Sequence, residues 1–404
     1  MSKEKLKIEN CSGVFAFVLG REQKIALAEL ESVLRRFGIC FDILSVQDNI
    51  ALIKIVETQN SKLKTQNLIN FLGGTIKIFE IVNLDYEKTG LSSNILDLIS
   101  SSKDRPSGKL DFGVSDYSKR YAEAEINRLG HEVKNGLKRL SISSRHVAVK
   151  GTRELSTIQT IKNKLDRKGI EIGVFNFASD QKESMDSSYP LRTSYYSLPT
   201  THYLLGRLIA VSNPEEWGER DYGKPAGDKY SGMMPPKLAR MLVNLALGST
   251  EEQKSRRYGR DPDLEASGNL RTEEHNNVIP AKAGIHSRII GQKPLVVDPF
   301  CGSGNILMEA VLLDCDILGS DISERAVEDT KANLNWLMNN EERIMNNGSS
   351  KHNSSFIIHD SVYQADAISF DFAKKLQAKK LCHCHRTISW QTPKNQKLKS
   401  QNPK

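Results

Sequence analysis

The line "KPLVVDPFCGSGNILMEAVLLDCDILGSDIS" (293–323) constrains the fold of this chain more than any other stretch. The apolar run "PLVVD" is typical of a buried strand, "NILMEAVLL" of a helix, and "CDILGSDI" of a second strand. The glycine-containing turn "PFCGSG" joins the first strand to the helix. A strand, a helix and a strand in this order predict the first β-α-β unit of a doubly wound parallel sheet.

Two glycines and an acid make this unit a candidate ligand site. Gly302 and Gly304 let the backbone approach a ligand without a Cβ atom in the way, and the following helix points its first N–H groups at the turn. Asp321 ends the second strand, where it can accept hydrogen bonds from ribose hydroxyls. Leu307 occupies the third glycine position of the dinucleotide pattern, and no Gly-Lys-Ser/Thr of a P-loop is present.

The stretch "D-P-F-C-G-S-G" resembles the S-adenosyl-L-methionine loop of Rossmann-like methyltransferases that modify amino groups of nucleic-acid bases. The resemblance implies that the opening acid lies near the methionine amino group, the loop backbone lies along the cofactor, and the acid of the second strand binds the ribose. The acid in "QADA" matches the one that holds the adenine amino group. The implied cofactor-binding residues are Asp298, Pro299, Phe300, Gly302, Gly304, Asn305, Asp321 and Asp366.

Other stretches extend the resemblance over most of the chain. The segment "GERDYGKPAGDKYSGMMPPKLARMLVNLA" (218–246) is similar to the one that enters the catalytic domain of archaeal and eukaryotic tRNA guanine-N2 methyltransferases. The stretches "LGHEVKNGLKRL" and "VKGTRELSTIQTIKNKLDRKGIEIGVF" look like a THUMP domain, the RNA-binding module of those enzymes. The resemblance implies methylation of the exocyclic N2 of a guanosine in tRNA, with the THUMP domain binding the acceptor stem and 3′ end.

The order of predicted elements gives the fold class. The first strand, helix and two strands look like the ferredoxin-like domain that accompanies THUMP. We therefore predict an α/β protein with a ferredoxin-like α+β unit, a THUMP α+β domain and an incomplete Rossmann-like doubly wound methyltransferase sheet. The predicted boundaries are 1–85 for the first unit, 86–180 for THUMP, 181–234 for a polar connector, 235–380 for the methyltransferase domain with an insertion at 248–292, and 381–404 for an aberrant tail.

A basic region falls within the predicted THUMP domain. Residues 131–168 contain ten Lys or Arg against three Asp or Glu. Composition alone leaves two interpretations open, a solvated helix face and a phosphate-contacting surface; the resemblance favours the second. The candidate RNA-binding residues are Lys134, Lys138, Arg139, Arg153, Lys162 and Lys164.

Composition limits the class of protein without identifying it. The hydrophobic fraction of 38% and charged fraction of 26% are those of an ordinary soluble protein. Six scattered cysteines indicate a reducing compartment, and the charged start and lack of long apolar runs predict a cytoplasmic protein without a membrane partner. Five of the eight net positive charges come from 381–404, so overall charge says little about partners. The oligomeric state stays open.

The polar stretch 248–292 has no sustained period, and a loop of this length is uncommon inside a compact domain. Its "VIPAKAGIHSR" resembles the peptide encoded when a bacterial palindromic repeat element inserts into a reading frame. We interpret the stretch as a tolerated insertion; the alternative is a functional lid.

The tail "LCHCHRTISWQ" (381–391) stands where the resembled family needs a motif of the type Asn/Asp-Pro-Pro-Tyr/Phe. In that motif the polar side chain and a proline carbonyl accept the amine hydrogens and position the base. Read one base later with permitted codons, the tail becomes Phe-Ala-Ile-Val-Thr-Glu-Pro-Tyr-Leu-Gly, a strand that runs into such a motif. We hypothesise that residues from about 381 are a frameshifted translation, which sequencing of the gene tests, and the catalytic residues stay unidentified.

Several alternatives remain open at this point. The row Cys382 to His385 suggests zinc, but four consecutive ligands do not converge easily on one tetrahedral ion, so we predict no metal site. This chain could be an inactive, truncated product of the family. Another target, in rRNA or the amino group of an adenine, is an alternative within the same class. A non-catalytic RNA-binding protein is the alternative from another class.

Overall fold

The computed structural model describes residues 13–56, 64–86, 90–101, 108–177, 203–227, 233–248, 293–340 and 361–372. The chain divides into two compact units. The first comprises Met1–Glu219 and Arg240–Ser249, and the second comprises Arg220–Ala239 and Thr250–Lys404. Both units combine one sheet with helices, so the predicted α/β class is confirmed.

The elements of the first unit follow the predicted order in most places. They are β1 (Val14–Leu19), α1 (Gln23–Arg36), β2 (Cys40–Gln47), β3 (Ile50–Val56), a 3-10 helix (Thr65–Asn70), β4 (Thr75–Tyr86), α2 (Leu91–Ser101), β5 (Leu110–Asp116), α3 (Glu123–Arg139), β6 (Ser144–Val147), α4 (Thr157–Lys162), β7 (Ile170–Asn176), β8 (Tyr203–Val211) and α5 (Pro214–Tyr222). The last residues of α5, from Arg220 on, belong to the second unit.

A single eight-stranded sheet organises the first unit, in the order β2-β3-β1-β4-β8-β7-β5-β6. Strand β5 runs parallel to β6 and β7, while the pairs from β2 to β4 and those of β8 are antiparallel. The two halves for which the sequence predicts separate domains, on either side of residue 85, thus contribute strands to one sheet. Their junction is the pairing of β4 with β8.

The structure differs from the sequence prediction in the segment 181–234, which was predicted as a polar connector. Residues 203–211 form β8, which lies between β4 and β7, and residues 214–222 form α5. The prediction failed because "YLLGRLIAV", which contains Gly206 and the charged Arg207, stands between polar flanks, and only its pairing with β4 and β7 accounts for its burial. The segment before β4 forms a 3-10 helix at Thr65–Asn70.

A buried ion pair links the two halves of this sheet. The Nζ atom of Lys77 on β4 lies 2.6 Å from Oε1 of Glu171 on β7 and donates to the carbonyl of Leu155 at 2.7 Å. Ser115 and Thr160 donate their hydroxyls to the two carboxylate oxygens of Glu171 at 2.7 and 2.6 Å. Each buried charge is thus paired and hydrogen-bonded, which is what keeps such a pair tolerable inside a protein.

The second unit contains a three-stranded parallel sheet, in the order β11-β10-β9. Its elements are α6 (Pro236–Gly248), which continues into the first unit from Arg240, β9 (Leu295–Asp298), α7 (Asn305–Leu312), β10 (Asp316–Asp321), α8 (Glu324–Asn339) and β11 (Val362–Gln364). This is the strand order of the first three strands of a doubly wound sheet, as the sequence predicts. The predicted insertion after Gly248 and the tail 381–404 lie outside the described residues. Among the described helices, none is long and apolar enough to cross a membrane.

The ion pair gives a first prediction. Replacing Glu171 by Ala would leave the ammonium group of Lys77 buried without its carboxylate, so we expect a loss of about 3–5 kcal/mol in the free energy of unfolding. A urea titration followed by circular dichroism measures this loss. The matched control is Glu31→Ala, which removes a half-exposed i,i+4 pair with Arg35 and should cost less than about 1 kcal/mol. Equal losses in both variants would contradict the importance given to the buried pair.

Candidate cofactor-binding site

Three acids lie at the same edge of the parallel sheet of the second unit. Asp298 ends β9 and pairs with Gly319, and Asp321 ends β10 and pairs with Gln364 of β11. Asp366 follows two residues later, where the N–H group of the neighbouring Ala365 donates to the Asp321 carbonyl at 2.9 Å. Because the carboxyl ends of parallel strands meet at one edge, this edge is where open α/β sheets bind ligands.

The loop between β9 and α7 requires glycine at two positions. Gly302 and Gly304 have φ angles of +53° and +83°, in the left-handed region that side chains disfavour. Among the described residues, a Cβ atom on Gly302 would meet no atom within 4 Å, whereas one on Gly304 would come within 2.9 Å of the Thr330 methyl group. Gly302 therefore faces open space, and Gly304 packs tightly against α8.

Asp321 connects the end of β10 to the loop. Its Oδ2 atom accepts the N–H of Gly302 at 3.0 Å, and its Oδ1 atom accepts the N–H of Ser323 at 3.0 Å. A carboxylate offers about four acceptor sites in total, so both oxygens can accept further hydrogen bonds from a ligand. Asp321 thus holds the loop in place and keeps acceptor capacity.

Asp298 is buried, with 6% of its surface exposed. Its pKa is raised from 3.8 to about 6, mainly by burial and to a smaller extent by the charge of Asp321, while the N–H donated by Phe300 at 3.1 Å lowers it. An acidic group in this state prefers a cationic partner that compensates the loss of water. The carboxyl group therefore suits a site for a positively charged ligand.

Apolar side chains stand exposed beside these acids. Phe300 in the loop is 61% exposed, and Ile322, directly after Asp321, is 73% exposed. Pro299 contributes its carbonyl, which accepts the Ser320 hydroxyl at 3.2 Å. The sequence prediction included Phe300 and Pro299 but overlooked Ile322, although its position after the second-strand acid could have indicated it.

Asn305 is placed differently from what its predicted role would suggest. Its side chain is 6% exposed, its Nδ2 atom donates to the Met234 carbonyl at 2.6 Å, and its Oδ1 atom accepts from the ammonium group of Lys224. The structure thus uses the Asn305 side chain to anchor the segment that precedes α6. Burial lowers the pKa of Lys224, while Asp221 and Glu309 raise it.

Buried polar residues on α8 were also missed by the sequence prediction. Thr330 and Asn333 are fully buried and hydrogen-bond to the loop carbonyls of Gly302 and Ser303. The signal available in the sequence was their spacing of three residues, on the same helix face as the apolar Leu334 and Leu337. A polar pair among core residues of a helix usually needs partners, and here the partners are in the loop.

Cys301 is a packing residue inside the glycine loop. It is 5% exposed, and its backbone N–H donates to the Ser320 carbonyl at 2.9 Å. Burial raises the pKa of its thiol to about 12, whereas a hydrogen bond with Thr330 acts in the opposite direction. The thiol therefore stays protonated at physiological pH and is no nucleophile.

All six predicted RNA-binding residues are exposed, but they do not form one cluster. Because α3 and α4 connect the parallel strands β5, β6 and β7, their last turns lie near the amino ends of these strands. Four of the six are at this edge: Lys138, Arg139, Lys162 and Lys164. A hydrogen bond of 3.0 Å from Arg145, near the start of β6, to Asn163 places the end of α4 at this edge.

Arg153 lies at the opposite edge. Its carbonyl accepts the N–H of Asp116, the last residue of β5, at 2.8 Å. Since β5 has seven residues at about 3.3 Å each, the two edges are roughly 20 Å apart. Lys134 is one helical turn before Lys138 on α3, so it extends the group of four rather than the site of Arg153.

Within the described residues, no group of three or more His, Cys, Asp or Glu side chains is arranged to hold a metal ion. The row from Cys382 to His385 lies outside those residues.

Thiol accessibility provides a test of the loop packing. At pH 8 a thiol with a pKa of about 12 is ionised in roughly one molecule in ten thousand, so we expect iodoacetamide to spare Cys301 in the folded protein. Cys315 is also buried and serves as a second protected thiol, while the exposed Cys40 should react. Peptide mapping by mass spectrometry, before and after unfolding in urea, measures the three rates. Labelling of Cys301 as fast as Cys40 would contradict the burial of the Cys301 side chain.

Two curated relatives match the chain in sequence. The tRNA (guanine(10)-N2)-dimethyltransferase of Methanothermobacter thermautotrophicus is 32% identical over 133 residues, which is 33% of this chain and 26% of that protein. The enzyme of the same name from Methanocaldococcus jannaschii is 29% identical over 136 residues, 32% of this chain and 27% of that protein. The matches thus span about a quarter of the length of these relatives. No protein-family model matches the chain.

Two solved structures share distant similarity. A predicted N6-adenine-specific DNA methylase from Listeria monocytogenes aligns over 79% of this chain and 70% of its own, with 12% identity and a TM-score of 0.33. A 4-thiouridine synthetase in complex with RNA and ATP aligns over 48% and 40%, with 11% identity and a TM-score of 0.25. The sequence matches show that about a third of this chain is related to tRNA (guanine(10)-N2)-dimethyltransferases, which confirms the predicted resemblance for that part.

Proposed function

We propose that this chain belongs to an S-adenosyl-L-methionine-dependent methyltransferase that acts on the exocyclic N2 of a guanosine in tRNA. The observation that carries the proposal is the loop from Asp298 to Gly304, with two left-handed glycines and with Asp321 at the end of the neighbouring parallel strand. The names of the two sequence relatives support the same reaction and the same class of substrate.

The residues of the loop fit this cofactor chemically. S-adenosyl-L-methionine carries an ammonium and a sulfonium group, and the buried carboxyl group of Asp298 favours a cation beside it. Asp321 keeps acceptor sites for ribose hydroxyls beyond its two backbone hydrogen bonds. Open space above Gly302 gives the cofactor access to the backbone, and the exposed Phe300 and Ile322 offer apolar surface for its adenine.

Asp366 supports the same proposal at the third strand. Its side chain is exposed, and its Oδ1 atom accepts the N–H of Ile368 at 3.0 Å, which fixes the carboxylate at the carboxyl edge of the sheet. We propose that it accepts a hydrogen bond from the adenine amino group. The acids of three successive strands would then bind successive parts of one cofactor.

The protein's share of the reaction is to bind and orient. When bound, the cofactor supplies a methyl group on a sulfonium sulfur that an amine can attack. The loop and its acids would fix that methyl group in position, and positioning of this kind is a large part of enzymatic rate enhancement. The resemblance implies that the groups accepting the hydrogens of the guanine amine belong where the tail 381–391 stands, outside the described residues, and the catalytic residues stay unidentified.

RNA binding is assigned to the first unit. We propose that the amino edge of β5, β6 and β7, with Lys138, Arg139, Lys162 and Lys164, contacts phosphates of the tRNA acceptor stem. Exposed basic residues at two helix ends concentrate positive charge, which attracts a nucleic-acid backbone. The same cations also stabilise the C-termini of α3 and α4.

The pKa of Asp298 gives a prediction for cofactor binding. The ionised carboxylate is the form that favours a cation, so binding of S-adenosyl-L-methionine should take place with proton release below a pH of about 6. We expect the affinity at pH 5 to be about tenfold lower than at pH 7.5, because each pH unit below a pKa costs a factor of ten in the ionised form. Isothermal titration calorimetry at both pH values measures it.

The free energy of unfolding of the cofactor-free protein should fall as pH rises, whereas cofactor affinity should increase. A carboxyl group with a raised folded-state pKa contributes stability that is present below 3.8 and lost as pH rises through about 6.

Asp298→Asn should weaken binding of S-adenosyl-L-methionine at pH 7.5 and remove the dependence of affinity on pH. The control Asp314→Asn, at a surface ion pair with Lys293, should keep that dependence. An affinity independent of pH in the unmodified chain would contradict the role of Asp298.

The function itself is tested by methyl transfer. The chain, and the protein read in the restored frame if the gene shows a shift at codon 381, is incubated with tRNA and S-adenosyl-L-methionine labelled on the methyl group. We expect label on N2 of guanosine in tRNA from the protein with an intact base-binding motif. Label in rRNA or on adenine would support those alternatives, and cofactor-free RNA binding would support the non-catalytic one.

A filter-binding titration with tRNA tests the basic edge of the first unit. Reversing the charges of Lys138, Lys162 and Lys164 to Glu should weaken tRNA binding at least tenfold and lower its salt dependence. Arg153→Glu, which reverses one exposed charge at the opposite edge of the same strands, is the control, and its effect is compared with that of each single reversal at Lys138, Lys162 and Lys164. An equal effect of Arg153→Glu and of the single reversals would contradict the assignment.

A further inference from the structure

Helix α8 presents two fully buried polar side chains to the glycine loop. Thr330 and Asn333 are three residues apart and therefore lie on one face of the helix, and the surface of each is 0% exposed. Burial of polar groups is costly unless they are hydrogen-bonded. Their partners show what the two residues do.

Thr330 contacts the loop at both glycines. Its hydroxyl donates to the Gly302 carbonyl at 2.7 Å and lies 3.6 Å from the sulfur of Cys301. A Cβ atom on Gly304 would come within 2.9 Å of its methyl group and 3.0 Å of its hydroxyl. The residue thus supports one loop carbonyl by a hydrogen bond and fills the space beneath the second glycine.

Asn333 binds the loop and a second segment at the same time. Its Nδ2 atom donates to the carbonyls of Ser303 and Ala226, both at 2.8 Å, and its Oδ1 atom accepts the N–H of Ala226 at 2.9 Å. Both amide hydrogens are therefore used. One side chain joins the glycine loop, α8 and the stretch that follows α5, all within the second unit.

We propose that Thr330 and Asn333 are positioning residues that hold the glycine loop in its cofactor-binding conformation. Two successive loop carbonyls, of Gly302 and Ser303, are bound by α8 and so are not free to turn toward the cofactor. The left-handed angles of the two glycines are kept in this way although no side chain of the loop fixes them. The inference rests on the proposed binding of S-adenosyl-L-methionine. It adds two residues of α8 that contact the loop carbonyls.

The hydrogen bonds between Asn333 and Ala226 connect the glycine loop to a further segment of the second unit. The stretch 220–227 is tied to the same region by a second buried contact, because Nε of Arg220 lies 2.9 Å from a carboxylate oxygen of Glu309 on α7. Lys224 reaches the Asn305 side chain at the start of the same helix. The loop is therefore held from α8 and from this stretch, with Asn333 in contact with both.

Paired substitutions test the proposal. Thr330→Val keeps the shape and removes the hydroxyl, so the Gly302 carbonyl loses its donor; we expect roughly tenfold weaker binding of S-adenosyl-L-methionine. Thr330→Ser keeps the hydroxyl and should restore most of the affinity. Asn333→Asp removes the amide donors to two carbonyls and should weaken binding by at least as much. Isothermal titration calorimetry on the full chain gives the affinities.

Controls separate positioning from general stability. Asn340→Ala removes a side-chain hydrogen bond to the Trp336 carbonyl on the same helix, without touching the loop, and should leave cofactor affinity unchanged. Affinity for tRNA should be unchanged in every variant. Urea unfolding of each variant shows whether it is folded, and rescue by Thr330→Ser distinguishes the hydroxyl from mere packing.

Each outcome decides one question. If the unmodified chain does not bind S-adenosyl-L-methionine, the proposed function is wrong. If it binds, and the folded Thr330→Val and Asn333→Asp variants bind equally well, the positioning role is wrong while the function stands. Should Thr330→Val fail to fold, Asn333→Asp decides alone. Loss of folding in both, with Asn340→Ala intact, would overturn the proposal, since the two residues would then support the whole unit rather than the loop.

Discussion

The parallel register between β9 and β10 is the constraint on which the candidate site depends. Asp298 pairs with Gly319, so Asp321 extends two residues beyond that pair at the same edge. The turn that leaves β9 must then pass beneath Asp321, where the N–H of Gly302 finds a carboxylate oxygen at 3.0 Å. A shift of this register would separate the two acids and leave the loop without its acceptor.

Close packing of helices against β10 and the glycine loop supports the site that this register creates. A Cβ atom at Gly319 would approach Leu307 of α7 to 2.5 Å, so a glycine there lets the helix after the loop lie directly on β10. Helix α8 closes the other side through Thr330 and Asn333. The loop is thus packed between two helices and a strand, and its open face is the side of Gly302, where no atom of the described residues lies within 4 Å of an added Cβ atom. Burial of Asp298 and its raised pKa follow from the same packing.

The first unit shows where a division of the chain by local sequence pattern differs from its packing. Predicted separate domains on either side of residue 85 share one sheet, because β8 returns from a distant part of the chain to pair with β4 and β7. Lys77 and Glu171, 94 residues apart, then meet across β8 with almost no exposure to water. Neither charge looks unusual in the sequence, since a Lys and a Glu in strands are ordinarily surface residues.

By itself, the sequence determined the elements whose patterns are local: the glycine loop between a strand and a helix, the acids at strand ends, most helices, and the α/β class. The resemblance carried by these motifs named most of the residues now found at the sheet edge. Only the tertiary structure decided which polar groups are buried and what they bind. It placed Arg153 away from the other basic residues, turned Asn305 inward to Lys224 and Met234, and brought Thr330 and Asn333 to the loop. The physical reason is that hydrogen bonds between buried groups depend on contacts between segments far apart in the chain, which local periodicity does not encode.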